Sequence, residues 1–262
     1  MTLRARLAGM PKRFSSAMMR TVRSTLTLLY PPSCLACEED LPDWDGQAFL
    51  CTHCQSILAR LAPPWCSRCG ESLRDSHADL CLRCATQEVP FDRLRSFGPY
   101  EGVLADLIRA LKFEGERALA RPLAGYLFEA SDSEIKEGIE AISFVPMTAR
   151  ALRIRGFNQA ELLARQLGRL LSKPVISGLH KARETRPQVE LSAHERLENL
   201  KAAFVARKDP RYEKLLLVDD VYTTGATLAE CSRALRAAGY GKIYALTLAR
   251  APLEPEALDD SN

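Results

Sequence analysis

The sequence predicts an α/β fold, a doubly wound, mainly parallel sheet preceded by a small cysteine-rich domain. Three observations lead there. Eight of the nine cysteines crowd between Cys34 and Cys84. Beyond Pro90, apolar runs of strand length alternate with segments of helical period, the pattern of βαβ units around a parallel sheet. One such run, Leu215 to Val218, ends in two adjacent carboxylates and a Thr/Gly turn that opens a helical segment (LLLVDDVYTTGAT). With 262 residues, 47% of them hydrophobic, the chain can bury a full core and carry a smaller module beside it.

Four regions follow from composition. Residues 1–30 form a basic N-terminal segment, with Arg4, Arg6, Lys12, Arg13, Arg20 and Arg23 and no acidic residue. Residues 31–89 hold the paired cysteines, 90–250 the α/β pattern, and 251–262 an acidic tail with Glu254, Glu256, Asp259 and Asp260. The formal charge of +3 is too small to argue for nucleic acid by itself, but its asymmetry permits a basic contact surface at one end. No apolar run approaches the ~20 residues of a membrane span. Leu26 to Tyr30 is shorter than the roughly 7–15 apolar residues of a signal-peptide core. The expected location is the cytoplasm. In composition the N-terminus also matches an organellar presequence, and its plainest reading is a short amphipathic helix.

The cysteines fall as Cys34-x-x-Cys37, Cys51-x-x-Cys54, Cys66-x-x-Cys69 and Cys81-x-x-Cys84, separated by 13, 11 and 11 residues. A C-x-x-C turn aims two thiolates at one point, and a second turn completes a tetrahedral sulfur set suited to structural zinc. Two zinc ribbons in tandem follow. The simplest assignment puts Cys34, Cys37, Cys51 and Cys54 on one ion and Cys66, Cys69, Cys81 and Cys84 on the other; interleaved pairing is not excluded. Disulfides would need an oxidising compartment. His53 and His77 read as surface residues, since each set already has four sulfurs. Ribbons can grip nucleic acid, carry a partner or act only as a structural module, and no basic stripe interleaved with aromatics within 34–84 selects among these.

In the α/β region, Val103, Leu104, Leu107, Ile108 and Leu111 recur at helical spacing, giving a buried face that ends near Lys112-Phe113. Ala141 to Pro146 reads as a strand and Arg150 to Asn158 as a basic loop. Ala160, Leu163, Ala164, Leu167, Leu170 and Leu171 mark one face of a helix. Pro174 to Ile176 begins another strand. Residues 180–200 show no clean period and are long enough for a functional loop. Ala203 to Ala206 reads as a short strand, Leu215 to Val218 as a fully buried one, and Ile243 to Leu248 as the last.

At the end of a central strand, Asp219 and Asp220 emerge where open α/β sheets bind ligands. Adjacent carboxylates suit the vicinal hydroxyls of a ribose or a hydrated Mg2+. Thr223, Thr224, Gly225, Ala226 and Thr227 supply hydroxyls and backbone N–H groups at a helix N-terminus, a concavity for a phosphate. Leu228, Cys231, Leu235 and Ala238 form the buried stripe behind, which makes Cys231 a small core residue rather than a nucleophile. A Walker B segment also ends in Asp-Asp, but the chain has no G-x-x-x-x-G-K-[ST] loop to accompany it. The guanidinium forks of Arg150, Arg153 and Arg155 match phosphate oxygens; the plainer alternative is a solvated basic turn. The same alternatives hold for Arg183 and Arg186.

LLLVDDVYTTGAT resembles the phosphoribosyl-pyrophosphate (PRPP) motif of type I phosphoribosyltransferases. Arg155-Gly-Phe-Asn-Gln159, Thr185-x-Pro187-Gln188, Leu191-Ser192, Glu195-Arg196 and Asn199-Leu200, together with the paired cysteines, resemble the ComF family of bacterial competence proteins over roughly residues 28–250. The resemblance implies a sheet of type I phosphoribosyltransferase type and a site binding PRPP with Mg2+. In it Asp219 and Asp220 hold the ribose hydroxyls, as the catalytic pair, and the Thr223–Thr227 turn holds the 5′-phosphate. Arg150 to Gln159, with Asn158, is the implied pyrophosphate loop, and Lys181 to Ser192, with Arg183 and Arg186, the implied closing loop. Also implied is a role in natural competence and DNA uptake, with single-stranded DNA and DNA-translocation proteins as partners. Purine-salvage members carry an Asp base where this chain has Thr223, so purine salvage is not implied. An alternative function is a non-catalytic adaptor that binds single-stranded DNA through its ribbons and senses a nucleotide.

Overall fold

The computed structural model of the chain describes residues 33–41, 49–75, 77–182 and 203–252. They divide into two compact units between Ile57 and Leu58. In the first, a turn after Cys34 is closed by Glu38 N–H donating to the Cys34 carbonyl (2.9 Å), and helix α1 (Thr52–Ser56) follows Cys51.

The second unit begins with the remaining cysteines, among which helix α2 (Leu82–Thr86) lies. Then come strand β1 (Arg93–Pro99), helix α3 (Gly102–Arg109), helix α4 (Ala120–Ala130) and helix α5 (Ser133–Gly138). Strand β2 (Ala141–Phe144) leads to helices α6 (Ala149–Arg155) and α7 (Gln159–Leu171). Strands β3 (Leu179–Lys181) and β4 (Phe204–Ala206) form a separate antiparallel pair. Strand β5 (Lys214–Tyr222), helix α8 (Ala226–Ala237) and strand β6 (Lys242–Arg250) complete it.

The main sheet has the order β1-β6-β5-β2 and every pairing in it is parallel. Leu215 to Val218 are fully buried at its centre, as a continuous apolar run demands of a strand covered on both faces. Helices α4 and α7 pack on each other and on one face, α4 against β1 and β6, α7 against β2 and β5. On the opposite face Leu228, Cys231 and Leu235 of α8 meet Leu215, Leu217, Ile243 and Ala245. Helices on both faces of a parallel sheet make the fold doubly wound. That second face also takes in Cys66, Cys69, Cys81 and Cys84, which share one apolar cluster with Phe91, Leu94 and Tyr222.

Several elements differ from the sequence expectations. Arg150 to Asn158 is not a loop: Ala149–Arg155 is helical, capped by Thr148 Oγ1 accepting from Ala151 N–H (3.1 Å) and ended at Gly156, whose φ is 79°. Its Ala, Leu and Arg residues are good helix formers, and charge alone does not break a helix. Pro174 to Ile176 contributes only a single bridge, Val175 beside Ile142, because Pro174 has no N–H to continue a ladder. Helix α3 does not run on regularly to Leu111; it widens at Ala110–Glu114 into a π-turn closed by Gly115 at φ 75°. Strand β1 and helices α4 and α5 were not foreseen. No helix among the described residues is long and apolar enough to cross a membrane.

Candidate functional site

Strand β2 stops at Phe144, opposite Val218, and Val145 N–H makes its last bond there, to the Val218 carbonyl (3.0 Å). Strand β6 continues to Arg250, so Asp219 to Tyr222 have a strand neighbour on one side only. A cavity of about 160 Å3 opens at this step, lined by Lys112, Asp219, Asp220, Thr223, Gly225 and Thr227 among others. It lies at the C-terminal ends of the parallel strands, as ligand crevices of open α/β sheets do.

The acidic pair is divided by the pleat, since successive strand residues point to opposite faces. Asp220, 3% exposed, reaches Lys112, whose Nζ lies 2.8 Å from its Oδ1. Its other oxygen, Oδ2, is buried without a hydrogen-bond partner. The half-buried Asp219 carboxylate accepts from the Asp220 N–H (2.9 Å). Burial, then the Asp220 carboxylate, push Asp219 up to about 8, against the pull of Lys112. For Lys112 burial works against the ammonium, but Asp220 and Asp219 outweigh it and hold its pKa above the usual value. Lys112 was missed in the sequence. It stands in the π-turn that follows α3, three residues beyond that helix's end, where no regular helical spacing marks it as buried.

The turn that follows reaches α8 through Gly225, whose φ of 78° is left-handed and favours glycine. A Cβ here would lie 2.5 Å from the Tyr222 hydroxyl and 2.6 Å from Cζ, so the backbone is packed closely against the hydroxyl end of the phenol. Thr224 Oγ1 accepts from Ala226 N–H at 3.4 Å. The first turn of a twelve-residue helix thus borders the same cavity as the carboxylates, and its partial positive charge favours an anion there.

Of the expected site residues, Asp219, Asp220, Thr223, Gly225 and Thr227 line the cavity, while Thr224 and Ala226 belong to the turn without lining it. Arg150 and Arg153 are exposed on α6. Arg155 donates to Gln159 Oε1 (2.7 Å), and its guanidinium stands 5.2 Å from the Phe113 ring centre. Asn158 is buried as the N-cap of α7: Oδ1 accepts from Ala160 and Glu161 N–H, and Nδ2 donates to the Val145 carbonyl (3.0 Å). These four residues are not part of the cavity wall. Arg183 and Arg186 lie outside the described residues. Cys231 is fully buried, which raises its thiol pKa, as befits a core residue.

Two further clusters are built from cysteine. In each of the sets Cys34, Cys37, Cys51, Cys54 and Cys66, Cys69, Cys81, Cys84, all sulfurs lie within 4.8 Å of one another. Cys37 and Cys51 sulfurs are 3.7 Å apart, Cys69 and Cys81 sulfurs 3.6 Å. Two sulfurs at ~2.3 Å from a common tetrahedral ion would stand about 3.8 Å apart, whereas a disulfide would bring them to about 2.05 Å. The donor set therefore fits zinc, paired sequentially. Burial and the nearby Cys69 push Cys81 up to about 12, while backbone N–H groups hold Cys66 near 7 in spite of its burial. Four crowded sulfurs cannot all ionise without a cation to share them.

Comparison with known proteins bears on both regions. A family described as double zinc ribbon domain matches residues 25–85. Competence protein F of Haemophilus influenzae is 38% identical over 183 residues, 67% of this chain and 80% of that protein. DNA utilization protein YhgH of Escherichia coli K12 is 34% identical over 181 residues, again 67% and 80%. A solved orotate phosphoribosyltransferase from Aeropyrum pernix is 24% identical, with a TM-score of 0.34 over 55% of this chain and 64% of that one. The fold assignment rests on the strand order itself and not on that likeness.

Proposed function

We propose, from the premise that the chain belongs to the ComF family of competence proteins, that its α/β unit binds PRPP with Mg2+ in the service of DNA uptake. The observation that carries this reading is the meeting of Asp219, Asp220 and the Gly225 cap of α8 in one cavity, with Asp220 Oδ2 buried and unpartnered. A buried carboxylate oxygen with no donor is costly, and a ribose hydroxyl is a donor of the right kind. The helix N-terminus would receive the 5′-phosphate. Mg2+, arriving with the pyrophosphate, would supply positive charge to its oxygens. Lys112 pairs with Asp220 and orients it. The two cysteine clusters hold structural zinc.

Isothermal titration of the wild type with PRPP and Mg2+ tests the reading, and no heat of binding would end it. Loss of binding in Asp219→Asn/Asp220→Asn locates the ligand. Pyrophosphate released from PRPP on adding DNA or another acceptor marks a transferase; binding with no release marks a sensor.

A second reading, contact with single-stranded DNA, is favoured by the surface next to α6. Phe113 is 71% exposed beneath Arg155, and Ile154 is 78% exposed between Arg153 and Arg155. Aromatic faces stack bases and guanidinium groups meet phosphates. The affinity should then fall with salt and with Phe113→Ala; salt-independent or absent binding would remove this reading.

A further inference from the structure

The second cysteine cluster is joined to the Thr223–Thr227 turn through Arg250 and through Tyr222, which itself lines the cavity. Arg250 closes β6. Its Nη2 donates to the Cys69 carbonyl in the metal-binding turn, and its guanidinium lies 4.4 Å from the Tyr222 ring centre. Tyr222 closes β5 beside it, 2% exposed, in one apolar cluster with Cys66, Cys69, Cys81 and Cys84. The hydroxyl end of the same phenol is packed close against Gly225. The contacts run unbroken from the sulfur ligands to the helix cap.

The cysteine turn is itself fixed to the sheet. Leu94 N–H donates to the Arg68 carbonyl (2.7 Å), and Arg95 Nη1 donates to the Cys66 and Ser67 carbonyls (3.3 Å each). Gly70, at φ 68°, passes so close to β1 that a Cβ would lie 2.6 Å from the Leu94 carbonyl oxygen. A turn pinned this tightly transmits displacement rather than absorbing it, because close-packed interiors are bistable and not soft.

We infer that Arg250 and Tyr222 are positioning residues through which the second metal site sets the conformation of the Thr223–Thr227 turn. Zinc on Cys66, Cys69, Cys81 and Cys84 fixes the Cys69 carbonyl, Arg250 holds that carbonyl and the Tyr222 ring together, and the ring supports Gly225 from below. The consequence for ligand affinity rests on the PRPP reading above; the consequence for the turn does not. Coupling of this kind is reciprocal, so a phosphate ligand on the turn also raises the affinity of the second cluster for its metal.

The test is amide hydrogen exchange over residues 225–229, with zinc content measured on the same samples. Arg250→Gln removes the link while leaving all eight cysteines. It should keep two zinc ions per chain and yet exchange at least tenfold faster over 225–229, with PRPP binding weakened about tenfold and PRPP no longer raising the affinity for zinc in chelator competition. Arg250→Lys, which can still donate to the Cys69 carbonyl, should recover part of each effect. If Arg250→Gln loses zinc, Tyr222→Leu decides, since it leaves the hydrogen bonds around the cysteines in place. Wild-type exchange over 225–229 in a zinc-loaded Arg250→Gln or Tyr222→Leu protein overturns the inference. If the wild type fails to bind PRPP, the proposed function falls and the exchange result still decides this inference.

Discussion

Replacing Lys112 by methionine isolates the buried ion pair at the centre of the cavity. The pair is short, 2.8 Å, with side chains 18% and 5% exposed, and the second Asp220 oxygen has no hydrogen-bond partner to share the load. Removing one member of a buried pair strands the other charge, at about 3–5 kcal/mol. Because Lys112 keeps some contact with water, the lower end, about 3 kcal/mol, is the expectation for Lys112→Met. In Lys112→Met/Asp220→Asn no charge is stranded, and most of that loss should return, leaving less than about 1.5 kcal/mol. The pH dependence follows from the raised Lys112 pKa. A cation favoured in the folded state stabilises fully below its unfolded value of about 10.4, and that stability is lost as pH rises through the folded value. The gap between wild type and Lys112→Met should therefore be present at neutral pH, widen as Asp219 ionises near pH 8, and close in strongly alkaline solution. Urea unfolding of the three variants with a common m-value measures all of this. A single-variant cost under about 1 kcal/mol, or a double variant no more stable than Lys112→Met, would refute the reasoning.

Asp219, held up to about 8 by burial and its acidic neighbour, keeps a proton that the unfolded chain releases near pH 4. Stability should fall as pH rises from 4 through 8, and Asp219→Asn should flatten that fall; parallel melting curves between pH 5 and 8.5 would count against it. Gly225→Ala meets a left-handed backbone costing about 1–2 kcal/mol and, in addition, the Tyr222 ring, so Tm should drop and PRPP titration should show no heat; an unchanged Tm would mean the turn relaxes freely. Purified protein should contain two zinc ions per chain by mass spectrometry, and Cys34→Ser/Cys37→Ser one; wild type well below two contradicts the cluster geometry.

The parts of this molecule legible in its sequence are those governed by local spacing. Four C-x-x-C pairs announce two sulfur sets because the turn itself aims the thiolates. A four-residue apolar run ending in Asp219-Asp220 announces a buried strand and its ligand end, although β5 runs further at both ends than the apolar residues alone suggested. Illegible were features decided by distant partners. Strand β1 carries Arg93 and Arg95, and no local spacing marks an arginine for burial, yet Arg95 is 7% exposed, donating to the Cys66 and Ser67 carbonyls and ion-pairing with Asp132. Lys112 entered the cavity by the π-turn at Ala110–Glu114, a local widening with no sequence signal of its own. Helix α6 carries three arginines in seven residues, a charge density that reads as a loop although Ala, Leu and Arg are good helix formers. Nor did the spacing reveal that the second sulfur set belongs to the α/β core, for that depends on the surface it covers.

Strand β1 is the outermost strand of its sheet, and an outermost strand presents a row of backbone groups to any passing chain. Here Leu94 N–H is taken by Arg68, while the Phe97 carbonyl accepts from Leu61 N–H (3.0 Å). The cysteine segment is thus a bandage over a border that would otherwise recruit strands from neighbouring molecules. Chelating the metal strips that bandage while the sheet behind it persists, so the first symptom of zinc loss should be self-association through β1, seen as light scattering before any loss of helix signal.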